Sequence, residues 1–215
     1  MIEFLEKLQP IYLERHSDGL FAEPFNALSN IAFFVAAYFL YRLASRHPQD
    51  RRWECRVLPA LLVLIGVGSL LFHTARGGYT FLCDVLPIGA FIILVMFSLF
   101  RWLTNSARWS IALIAVFLLI QLAIPRGALN GCLPYIVTLM VLVKITPCAF
   151  HRCGLKAIPL AWLCMALGSA IAFRAIDLVS SPVFPMGTHW LWHIGTAASA
   201  YLAARFVIQE TDSRL

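Results

Sequence analysis

Charge is scarce in this 215-residue sequence: 13% of it is Asp, Glu, Lys or Arg, against about 25% in an ordinary soluble domain. A chain of this size could not cover its surface with polar groups in water. A soluble globular class is therefore excluded, and an integral membrane protein is expected. The six cysteines, at 55, 83, 132, 148, 153 and 164, form neither a CxxC pair nor a zinc-ribbon spacing, which excludes a thiolate metal module. Cys83 and Cys132 are both expected near the outer face, and a disulfide between them is left open. The N-terminal stretch lacks a charged segment followed by an apolar core and a small-residue cleavage site, so no cleaved signal peptide is expected. Internal repeats, low-complexity tracts and a separate soluble domain are also missing. One membrane domain over residues 1–215 follows.

What is present is apolar sequence, 60% of the chain. It falls into seven runs long enough for helices across a ~30 Å hydrocarbon layer. They are Ala27–Tyr41 (extended at its start by Glu23–Asn26), Val57–His73, Phe81–Phe100, Trp109–Ile124, Cys132–Ala149, Ala157–Phe173 and His189–Ile208. The predicted fold class is all-α, a polytopic seven-transmembrane helix bundle. Lys and Arg near span ends stay cytoplasmic. Arg42, Arg46, Arg51, Arg52, Arg56, Arg101, Arg108, Lys144, Arg152, Lys156, Arg205 and Arg214 fall in the closing turns of spans one, three, five and seven or in the connections after them, whereas Lys7, Arg15, Arg76, Arg126 and Arg174 fall on the other side. The N-terminus and residues 1–22 are therefore expected outside, and the tail, 209–215, in the cytoplasm. Topology also accounts for the net charge of +6, so nucleic-acid binding is not expected.

Ionisable groups inside spans are costly, by about 2.5–3.5 kcal/mol on insertion scales, and so point to function. Span two ends "GVGSLLFHTARGG", with Ser69 and His73 four apart on one face. Span three opens "FLCDVLP", with Asp84 in its first turn, and span seven opens "HWLWH", with His189 and His193 again four apart. The charge-derived topology places all five in the same outer layer. Three imidazoles at one depth suit zinc, which in catalytic sites takes three protein ligands and keeps a fourth position open. Zinc so held makes hydroxide available at a pKa near ~7 and polarises a carbonyl. Asp84 is then the expected general base, and Ser69 a donor to a developing oxyanion.

Other polar residues have plainer expected roles. His16, His47 and His151 lie outside the spans and are expected to be solvated. Arg174 and Asp177 are expected to form a surface or interhelical ion pair, Gly66 and Gly68 to allow close helix packing, and Lys144 to snorkel. Trp190 and Trp192 are expected to project away from the histidine face. The last span has no lysine for a Schiff base, which argues against a retinal-type pump.

The constellation resembles the alkaline ceramidase family, within a wider group of seven-span hydrolases that also holds the progestin and adipoQ receptors. "AEPFNALSN" leads span one, "SLLFH" ends span two, Asp84 opens span three and "HWLWH" opens span seven; the first string favours the ceramidase branch. The resemblance implies a zinc-dependent intramembrane amidase that cleaves the N-acyl bond of ceramide or a related N-acyl lipid. His73, His189 and His193 match its zinc ligands, Asp84 the residue that activates water, and Ser69 its active-site serine. It further implies a calcium site in which Glu14 and Glu23 match acidic positions and Tyr12 an aromatic one. Ile11 and His16 stand where two more oxygen donors belong. Calcium takes six to eight oxygens, so calcium is not expected, and Glu23 and Asn26 are expected to brace helix one against the zinc site. The alternative is a receptor-like or binding protein with a structural zinc site. The expected setting is a multi-pass membrane protein, in the inner membrane if the source is a bacterium, with a membrane lipid as substrate and no protein partner implied.

Overall fold

An apolar run in lipid finds no water for its N–H and C=O groups and closes them internally as helix. The computed structural model describes residues 9–47, 53–125 and 128–210, and among these there are eight α-helices and no strand. They are α1 (Pro24–Ser29), α2 (Ile31–Ala44), α3 (Trp53–Thr74), α4 (Gly78–Thr104), α5 (Ala107–Ala123), α6 (Leu133–Cys153), α7 (Ile158–Ile176) and α8 (His189–Glu210). Each of the seven expected runs lies in helix to within a residue or so, apart from a break in the first. There the Asn30 amide donates to the Asn26 carbonyl at 2.8 Å and the Ala27 carbonyl at 3.3 Å, ending α1 before α2 begins. Pro24 opens α1, where its missing N–H costs nothing.

Four helical stretches are long and apolar enough to cross a membrane: Pro24–Ala44, Trp53–Thr74, Gly78–Thr104 and Leu133–Val179, the last containing both α6 and α7. Helix α5 is apolar but shorter, and α8 carries the two histidines with several polar residues and is not among the four. Large apolar side chains such as Phe39, Leu64, Leu119 and Met165 are exposed around the molecule, which fits a membrane protein. Of the charges used for orientation, Lys7, Arg51, Arg52, Arg126 and Arg214 lie outside the described residues.

Helix α8 is the post around which the rest is arranged, packing against α7, α2, α3, α1 and α4. Neighbouring helices pack along the series α2–α3–α4–α5 and again along α6–α7–α8, and α8 closes on α2. The junction of α5 with α6 is thin. It is bridged by Gln121, whose amide donates to the Pro134 carbonyl at 3.0 Å and to the Thr138 hydroxyl at 3.3 Å. Helices α3 and α4 lie closest at Gly68, where an added Cβ would run into the backbone carbonyl of Cys83. This contact sets the neighbouring residues, Ser69 and Asp84, against each other. Gly66 likewise makes room for Phe33 and Phe34 of α2. Cys83 and Cys132 are both free thiols, so the disulfide left open by the sequence is not formed. Lys144, His16 and His151 are exposed.

Candidate metal centre

Helix α3 brings His73 in its last turn, and α8 brings His189 and His193 in its first two turns. All three are buried, at 1%, 1% and 3% exposure. Ring centroids are 4.9 Å apart for His73 and His193, 5.3 Å for His73 and His189, and 4.6 Å for His189 and His193. One nitrogen from each lies within 4.8 Å of the others.

The hydrogen bonds decide which nitrogens are available. His73 Nδ1 meets Glu23 Oε2 at 2.5 Å. An ionised carboxylate only accepts, so Nδ1 carries a proton, and Nε2 is the nitrogen left to offer a lone pair to a metal. That Nε2 is buried without a hydrogen-bond partner. His193 Nδ1 lies 2.7 Å from Ser29 Oγ. The Ser29 hydroxyl has one proton and donates it to the Asn26 carbonyl at 2.9 Å, so here too Nδ1–H is the donor and Nε2 the lone pair. His189 Nδ1 is buried and unpartnered. Imidazoles whose far nitrogen is fixed by an oxygen are the usual arrangement of metal-ligating histidines, so the three could hold a metal ion.

The carboxylate of Asp84, on α4, is close by. Its Oδ1 is buried with no partner, the Ser69 hydroxyl bonds to the group, and His73 and Arg174 are its nearest charged neighbours. Tyr12 roofs the site, stacked on His189 at 4.0 Å and 5.0 Å from the His73 ring. Burial pushes its phenol well above the usual range, so it stays protonated.

The N-terminal segment is tied to this centre by its acids. Glu14 accepts from the backbone N–H of Phe25 at 2.6 Å and of Asn26 at 2.9 Å, capping α1 from a distance. Burial raises its pKa against the pull of those two bonds. Glu23, wholly buried, receives Arg15 at 2.9 Å, Arg76 at 3.4 Å and the Asn26 amide at 3.2 Å besides His73. Burial of this carboxylate is offset by its bonds with His73, Arg15 and Asn26. Arg76 is itself anchored by the Gln9 side chain and the Pro10 carbonyl. Glu23 is thus paired with guanidinium and imidazole groups.

One expectation is corrected. Asp177 and Arg174 do not pair. Asp177 accepts from the backbone N–H of Leu13 at 3.0 Å, Thr188 at 2.7 Å and His189 at 2.9 Å. It thereby caps α8, whose first residue is His189, and pins the loop that carries Tyr12. Gly187, at φ +74°, leaves no room for a Cβ beside Asp177. Arg174 turns the other way, onto the rings of Trp192 and Tyr135. Trp192 is accordingly buried among α6 and α7, and its ring does not turn away from the histidines but stacks on that of His189 at 6.5 Å. Ser29, Arg15, Arg76 and Asp177 were not expected at the site; the "NALSN" string containing Ser29 was the available signal.

Residues 17–182 match the sequence model of the family described as Ceramidase. The chain belongs to the alkaline ceramidase family. Membership implies a hydrolase acting on an amide bond, with a lipid substrate and a membrane setting. The match takes in His73, Asp84 and Ser69 and stops short of α8, so His189 and His193 join the group through the fold. No curated protein and no solved structure matched the chain.

Proposed function

We propose that this ceramidase-family chain is a zinc-dependent intramembrane amidase, hydrolysing the N-acyl bond of ceramide or a related N-acyl lipid to a free amine and a fatty acid. The observation that carries the reading is the convergence of three buried imidazoles from α3 and α8, two with Nδ1 engaged by an oxygen and one nitrogen each of His73 and His189 unpartnered. His73, His189 and His193 would hold the ion. When bound, zinc would polarise the amide carbonyl and acidify water in the site. Asp84, with one oxygen unpartnered, takes the proton of the attacking water and passes it to the departing amine. Ser69 orients Asp84, and once Asp84 has taken the proton of the water the Ser69 hydroxyl can turn its own proton to the oxygen on which charge develops. Glu23 and Ser29 fix two of the histidine rings, and Glu14 and Asn26 brace α1 beneath them. Glu23 is already neutralised by arginines, which favours structural support over a calcium site. The membrane arrangement belonging to this reading has seven spans, the N-terminus outside and the C-terminus cytoplasmic. The thin α5–α6 junction offers a lipid a lateral way in.

The test is metal analysis of purified protein joined to a product screen over N-acyl sphingoid, N-acyl ethanolamine and N-acyl amino-acid lipids. About one zinc per chain is expected by the three-ligand count, with His193→Ala losing both metal and turnover. Full activity in metal-free protein would remove the proposal. A chelation-sensitive melting temperature with no product from any lipid would favour the receptor-like alternative, in which zinc is structural.

A further inference from the structure

Arg174 is a buried cation with no anion bonded to it. It lies in the last turn of α7 and is 9% exposed. Its Nε donates to the Asn130 carbonyl at 3.0 Å. The guanidinium lies over Trp192 at 4.8 Å and Tyr135 at 5.7 Å. Among the described residues no acid stands within ion-pair distance of it, and its two terminal nitrogens make no hydrogen bond. Asp177, the acid three residues on, is spent on backbone N–H groups. The charged and polar groups that face Arg174 are Asp84 of α4, Tyr12 of the N-terminal segment, Tyr135 of α6, Cys132 at the head of α6, and His189 and His193 of α8. Arg174 borders the histidine centre through Trp192, whose ring lies under the guanidinium and stacks on that of His189 at 6.5 Å.

This placement is built. Leu129 and Asn130 hold φ values of 52° and 53°, which non-glycine residues rarely adopt, and that turn aims the Asn130 carbonyl at Nε. The two rings fix the plane of the guanidinium. A desolvated, planar N–H fork is complementary to a carboxylate, which it binds through two parallel hydrogen bonds. Amide hydrolysis makes one: water adds across the C–N bond, the amine leaves with a proton, and the acyl carbon keeps the water oxygen as a carboxylic acid that ionises at neutral pH. The amine product carries positive charge and is repelled by Arg174.

We propose that Arg174 binds the carboxylate of the long-chain fatty acid released at this site, so that the acid is the retained product. The assignment rests on the amidase reading above. It is tested by equilibrium binding of radiolabelled palmitate to the full chain in lipid nanodiscs, with and without chelator. Methyl palmitate, hexadecylamine and hexadecyl sulfate serve as comparisons, and inhibition of turnover by palmitate is measured in parallel. Palmitate is expected to bind the wild type at least about tenfold more tightly than Arg174→Gln, with Arg174→Lys in between, and the ester and amine to bind weakly to both. Equal affinity of acid and ester for the wild type overturns the proposal even where Arg174→Gln fails to fold. So does palmitate binding that chelation abolishes and a folded Arg174→Gln leaves unchanged, because the metal alone then holds the acid. Hexadecyl sulfate binding as tightly as palmitate overturns the assignment to the product. No hydrolysis of any amide, with palmitate binding still dependent on Arg174, removes the amidase reading and keeps the carboxylate site. Hydrolysis with unchanged palmitate inhibition in Arg174→Gln removes only this inference.

Discussion

A neutral imidazole has one proton and one lone pair to place on two nitrogens, and at this centre the choice is made by residues far from it in sequence. Glu23 lies 50 positions from His73 and Ser29 164 from His193. Replacing Glu23 by Gln puts an amide opposite Nδ1 and lets the ring turn or change tautomer. Zinc affinity is expected to fall by roughly 10- to 100-fold, read by competition with a chromogenic chelator.

At the level of elements, the register of α8 sets the depth of two candidate ligands, and Asp177 sets that register. Three backbone N–H groups end on its carboxylate. Asp177→Ala would leave them buried without an acceptor, at a cost of about 1–3 kcal/mol for each. A clearly lower melting temperature is expected. So is an altered visible absorption spectrum of the cobalt-loaded protein, because His189 begins the helix that has lost its cap. A spectrum identical to the wild type would limit Asp177 to general stability. Helices α3 and α4 make the complementary case. The close approach at Gly68 is what lets Ser69 reach Asp84, and the glycine was readable as a packing residue while the meeting it permits was not.

For the whole molecule, the uneven packing of the helices matters more than their number. Helix α8 is enclosed by five others, while the hydrogen bonds that join α5 to α6 among the described residues are those of Gln121. If lipid enters there, a disulfide between cysteines introduced at Gln121 and Thr138 should lower turnover of a long-chain N-acyl lipid at least about tenfold, leave the metal content unchanged, and be reversed by reductant. Unchanged turnover in the oxidised double variant would place the entry elsewhere. None of the native cysteines is in a disulfide, so the oxidised form should be checked by mass.

The sequence by itself determined the helices and the pairs of unusual residues that share a face. Low charge, long apolar runs and the arginines and lysines at their ends act locally and need no packing to be read. The i, i+4 spacings of Ser69 with His73 and of His189 with His193 put each pair on one face for the same local reason. Which residues touch was decided by tertiary structure alone. Helix rotation sets whether Glu23 meets His73 or a cation, whether Asp177 serves Arg174 or the head of α8, and which way Arg174 turns. These outcomes depend on contacts between separate segments, such as Glu23 with His73 50 positions on and Asp177 with Leu13 164 positions away, and no periodicity within a single helix records them.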